Sequence, residues 1–210
     1  MRILSLFIIC MTFGCASPAM YLCGDRYCGQ DQWQNAIDEV VSANFPDENY
    51  QGVLWADDFK NAWVTVGNEI NTTAEMNYHL ETHERRVAVV AHELAHLKLG
   101  HYYQKVGVYI ATNTLIYVTE VHYPGSQYYT NSLGGIGMSA FSRSKESEAD
   151  RIAIQYLEKA DYDKEDFLDL LYWMRDNFPS HVHNPLTATH PHISEPVSYT
   201  HLTLPTSDLV

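Results

Sequence analysis

The run VVAHELAHLKLGH, residues 89–101, sets three histidines and a glutamate inside what is otherwise a core helix. Val87, Ala88, Val89, Val90, Ala91, Leu94, Ala95, Leu97 and Leu99 leave almost no polar face. An imidazole or carboxylate buried without a partner costs a few kcal/mol or changes its protonation state. Such a helix can enter a core only if something there compensates its titratable groups. Residues four apart on a helix lie one turn above each other, so His92 and His96 project on the same side. Two imidazoles at that spacing reach one zinc ion at about 2.0–2.1 Å. Glu93 sits about 100° around the helix, poorly placed as a ligand but able to act as general base on the water that such an ion activates.

A hydrolytic zinc needs a third protein ligand and an open position. The spacing HExxHxxGxxH fails, because Leu99 stands in place of the Gly and Tyr102 in place of the last His. His101 lies five residues beyond His96, on another side of the same expected helix, and reads as structural. The better candidate is SRSKESEADRIA, residues 142–153. Glu146 and Asp150 fall one turn apart beside an expected core stripe of Ala149, Ile152, Ala153, Tyr156 and Leu157, whereas Glu148 falls on the opposite flank, closer to solvent. Glu146 can then ligate the ion while Asp150 accepts a hydrogen bond from a ligand histidine's free N–H, fixing its tautomer.

HELAHLKLGH followed by FSRSKESEADRIA resembles the HtpX-like and CAAX-prenyl-protease-like zinc metallopeptidase family, in particular its small periplasmic and lipoprotein members. The similarity runs from about Asn61-Ala62 to Thr189-His190-Pro191. It implies one Zn2+ per chain held by His92, His96 and Glu146, with Glu93 as catalytic acid/base and Asp150 as the orienting residue. It also implies an α+β, mainly helical gluzincin fold, with a small partly antiparallel sheet packed on the HExxH helix. His190 matches a His-Pro that lies near the active site in the family, where it stabilises an oxyanion or occupies the metal in a latent form; His181, His183 and His192 are alternatives. An Arg that usually follows is replaced, at about its place, by Pro196. The expected function is a zinc-dependent endopeptidase acting on unfolded or misassembled polypeptides; the alternative is a catalytically silent zinc-binding chaperone or binding module.

Charge and leader set the surroundings. The 210 residues carry 26 acidic against 13 basic side chains, a formal charge of -13 that would repel phosphate backbones and argues against nucleic acid as a partner. Residues 1–19 have the layout of a secretory leader, too short for a membrane span. Cleavage before Cys15, with lipidation of that cysteine, competes with ordinary cleavage after Ala19. Either places the mature chain in the periplasm or on the outer membrane, held to a membrane only through a lipid anchor. In that oxidising space Cys23 and Cys28 form a disulfide candidate. The metallopeptidase domain is expected over 20–195. Residues 196–210, PVSYTHLTLPTSDLV, resemble a translated adapter sequence or a disordered tail and stand outside the fold.

Along that domain, apolar periodicity predicts a helix over 31–45 with Asp31 as N-cap, and strands near 52–56, 62–66 and 69–72. One long helix is expected over 81–107 and a short buried helix over 108–118. The glycine-rich SLGGIGMSAF reads as a mobile loop. Helices are expected over 142–160 and 164–178, the last ended by Pro179.

Overall fold

The computed structural model describes residues 29–178, apart from Asp58 and Val66. Its first helix, α1 (Gln30–Asn44), turns Trp33, Ala36, Ile37, Val40 and Val41 inward, the period of one apolar face. Asp31 lies in its first turn; Gly29 is the N-cap, with no side-chain cap hydrogen bond. The Trp33 indole donates to the Ile70 carbonyl at 2.9 Å, which joins α1 to the sheet without leaving a buried donor unpaired.

The sheet has three strands, β1 (Gln51–Trp55), β2 (Ala62–Val64) and β3 (Glu69–Thr73), in the order β1-β3-β2. β1 runs parallel to β3 with Val53 opposite Asn71, and β2 runs antiparallel to β3 with Trp63 opposite the same Asn71. The expected small, partly antiparallel sheet is therefore present. β2 is an edge strand and β3 the centre, where Ile70, Asn71, Thr72 and Thr73 are all buried. A short helix α2 (Ala74–His79) follows at once, with Thr73 as its N-cap.

Helix α3 (His83–Lys98) starts at Thr82, whose side chain accepts from the Arg85 amide. Buried Arg86 ties this start to α2, donating to both the side-chain oxygen and the carbonyl of Asn77 at 3.0 Å. Val87, Ala88, Val90, Ala91 and Leu94 have no exposed surface, and burying each Val or Leu side chain contributes about 1.5–3 kcal/mol. The core around them is completed by Ile154 and Leu157 of α5 (Gln127–Lys159) and by Phe167, Leu170 and Leu171 of α6 (Lys164–Asn177). Asp163 and Asp166 close a capping box on α6.

One close approach gives a stability prediction. A Cβ on Gly29 would lie 1.8 Å from Nδ2 of Asn77, whose side-chain oxygen is already engaged by Arg86. Gly29→Ala is expected to destabilise the domain by about 1–3 kcal/mol, read as a lower urea midpoint with an unchanged slope. An unchanged midpoint would show that Asn77 moves aside freely.

Three expectations for the middle of the chain need correction. The helix expected over 81–107 breaks at Gly100, whose φ of +65° is left-handed, so α3 ends at Lys98 and α4 (His101–His122) begins in a new direction. Residues 108–118 are helical but belong to α4 and are largely exposed, Ile110, Leu115 and Tyr117 at 59–71%. Only Val108, Thr112 and Ile116 in that stretch are half-buried, because α4 packs mainly on α5, whereas its apolar residues run all round. SLGGIGMSAF lies inside α5, which extends the expected 142–160 helix back to Gln127. Among the described residues, no helix is long and apolar enough to cross a membrane.

Candidate metal centre

Helix α3 presents His92 and His96 on one side, and α5 crosses it so that Glu146 and Asp150 face them. The stripe that seats α5 is Ala149, Ala153, Ile154 and Leu157; Ile152 and Tyr156 are only half-buried. Glu146 and Asp150 ride beside this stripe at 3% and 4% exposure, as buried as the apolar residues. Ion-capable side chains are drawn into the core by the packing that the VVAHELAHL run dictates.

The geometry is compact. His92 Nε2 lies 3.0 Å from His96 Nε2 and 3.4 Å from one Glu146 oxygen; the other Glu146 oxygen is 3.5 Å from His96 Nε2. A tetrahedral ion with bonds of about 2.0–2.1 Å holds its ligand atoms roughly 3.3–3.4 Å apart. His92, His96 and Glu146 thus make a group able to hold a metal ion. His92 Nδ1 faces an Asp150 oxygen at 3.0 Å, which leaves Nε2 turned to the ion position.

Electrostatics point the same way. Burial acts most strongly on His92 and would lower its pKa, but hydrogen bonds to Asp150 and Glu146 outweigh it and push the ring up to about 9. The two carboxylates thus surround the His92 ring with negative charge, which stabilises a proton there that a bound cation would have to displace and replace. His96 is shifted downward, first by burial, against the pull of Glu146, and so favours the neutral ring that a ligand requires.

Glu93 is buried, at 4% exposure, yet lines an open cleft together with His96, Glu146, Trp63 and Val64. That placement follows from its position one residue after His92, turned around α3 toward β2. The cleft is thus bounded on one side by the ion-capable group and on another by an edge strand.

His101 departs from its expected place. On a continuous helix it would point away from His96; the turn at Gly100 returns it instead, buried, with Nδ1 2.9 Å from His96 Nδ1. Glu148, placed by sequence near solvent, is half-exposed and reaches His101 Nε2 at 3.4 Å. The Gly100 in LKLGH was the available signal, because glycine commonly ends a helix in the left-handed conformation. Cys15, Cys23, Cys28 and His190, with His181, His183 and His192, lie outside the described residues.

Two half-buried histidines one turn apart, a buried carboxylate from a crossing helix and a glutamate in the adjoining cleft are the parts of a metallopeptidase site. The family model of Peptidase family M48 matches residues 30–198, and the chain belongs to that family. No curated protein gives a significant match. Membership carries metallopeptidase activity as the family's chemistry, and with it polypeptide substrates.

The Asp150 contact makes a local prediction. Asp150→Asn keeps the shape but weakens the acceptor that orients His92, and is expected to reduce zinc affinity about 10–100-fold. Chelator competition reads this directly; an affinity within twofold of the parent would remove Asp150 from the site's support.

Proposed function

We propose that this protein is a zinc-dependent endopeptidase of the cell envelope, with one Zn2+ per chain held by His92, His96 and Glu146. The observation that carries this reading is the meeting of those three side chains at ligand spacing, beside a cleft that His96 and Glu146 line together with Glu93 and with Trp63 and Val64 of the edge strand β2. When bound, zinc would lower the pKa of a water molecule and polarise the scissile carbonyl.

The chain's own residues supply the rest. Glu93 takes a proton from the attacking water and passes it to the departing amine nitrogen as the C–N bond breaks. β2 pairs with β3 on one side, and its other edge can add an extended substrate strand. Main-chain pairing there would hold a peptide in register without demanding a particular side-chain sequence, which suits unfolded or misassembled envelope proteins. Trp63 and Val64, which border the cleft, would give the strand apolar contacts.

The location rests on the leader-like residues 1–19 and on Cys15 as lipidation candidate, which together favour a periplasmic or outer-membrane lipoprotein. Casein digestion by zinc-loaded protein tests the endopeptidase reading. Internal fragments with new termini on both sides of the cut are expected; release of single amino acids alone would contradict it. Radiolabelled palmitate incorporation that disappears in Cys15→Ala would support the anchor, and equal labelling of both forms would remove it.

A further inference from the structure

We propose that His101 is a positioning residue that locks His96 into the tautomer able to bind metal, and that Glu148 sets this through His101. The inference rests on the metal-site reading above.

Two imidazole nitrogens 2.9 Å apart, Nδ1 of His96 and Nδ1 of His101, need one proton between them. If His101 donated it, His96 in its neutral form would carry its own proton on Nε2, the nitrogen turned to His92 and Glu146. That nitrogen could then not ligate. If His96 donates, its Nε2 lone pair is free for the ion. Glu148 decides between the two. Its carboxylate, 3.4 Å from His101 Nε2, can only accept, so it draws the single proton of neutral His101 to that end and leaves His101 Nδ1 as an acceptor. Lys145, 2.8 Å from the same Glu148 oxygen, holds the carboxylate in place.

The two ligand histidines are therefore held in the same way at Nδ1, by different means. His92 Nδ1 faces a carboxylate directly, the Asp150 Oδ1 at 3.0 Å. His96 donates to a neutral imidazole whose far side meets a carboxylate. The turn at Gly100 makes this possible, because it brings the first residue of α4 back over the last turn of α3. His101 is 4% exposed at the head of a helix whose next six residues are all exposed, so local packing alone does not explain its burial.

The test is zinc affinity by chelator competition on the full chain, with the visible spectrum of the Co2+-substituted protein and the imidazole 15N shifts of His96 as independent readouts. His101→Leu removes the acceptor and is expected to weaken zinc about 10–100-fold, the loss typical of an outer partner. His101→Asn restores an oxygen near the Nδ1 position and should recover most of that loss. Glu148→Ala should shift the His96 15N signals away from the Nδ1–H form while leaving the fold intact. An affinity for His101→Leu within twofold of the parent would overturn the proposal, as would His101→Asn binding no better than His101→Leu. If His101→Leu fails to fold, the Glu148→Ala spectrum decides alone: an unchanged His96 tautomer overturns the proposal. His92→Ala is the control that separates the two readings. Zinc lost there but kept in His101→Leu defeats only this inference; zinc kept in His92→Ala defeats the metal site itself.

Discussion

Glu93→Gln is expected to lower kcat on casein by about 10²–10⁴-fold, the contribution of a general base, while the protein still binds zinc. The amide has the shape of the carboxylate but no basicity, so the substitution removes a proton acceptor and little else. Glu93 is buried yet opens on the cleft, and the isosteric amide fills the same space there without a cavity or a clash. The expected pattern is an unchanged melting temperature, unchanged zinc affinity and a collapsed kcat with KM little altered. Retention of more than a tenth of the parent rate would show that another group takes the proton. Loss of zinc along with activity would show that Glu93 supports the metal instead.

The other large effect lies at the ligands. His96→Ala and Glu146→Gln should each weaken zinc by more than the 10–100-fold expected of an outer partner, leaving little metal after dialysis and no measurable hydrolysis. Binding to the folded state adds about 2.7 kcal/mol of stability when free metal is at 100 times Kd, so zinc should raise the melting temperature of the parent and leave that of either variant unmoved. The variants should nonetheless fold, because the core around them is built by Val87, Val90, Leu94, Leu157 and Phe167, none of which has exposed surface. A zinc-induced rise in melting temperature equal to the parent's in Glu146→Gln would rule out Glu146 as a ligand.

The site was legible because its parts are tied to helical periodicity. HELAH fixes two histidines one turn apart on α3, and ESEAD fixes Glu146 and Asp150 one turn apart beside a stripe of alanines on α5. Once both stripes must be buried, the two pairs can hardly avoid each other. The strands were recovered to within two residues, since β-branched and aromatic runs bounded by Gly67-Asn68 leave few alternatives.

The middle of the chain was not legible, for a physical reason. From Val106 to Thr119 there is no charged residue to mark a solvent face, so composition suggested burial where the structure shows exposure. Glycines at 134, 135 and 137 lower helix propensity by about 1 kcal/mol each relative to Ala, yet the segment is continuous helix within α5, which packs along α4. The expected place of His101 depends on α3 running through Gly100, which it does not. A single left-handed residue moved it from the far side of a helix to contact with a candidate ligand.

The position of the metal decides whether His92, His96 and Glu146 are its ligands. Anomalous diffraction from zinc-loaded crystals, collected on either side of the zinc absorption edge, locates it directly. The expected result is one strong peak per chain, at about 2.0–2.2 Å from His92 Nε2, His96 Nε2 and a Glu146 oxygen. A peak held by other residues, or none between α3 and α5, would contradict it.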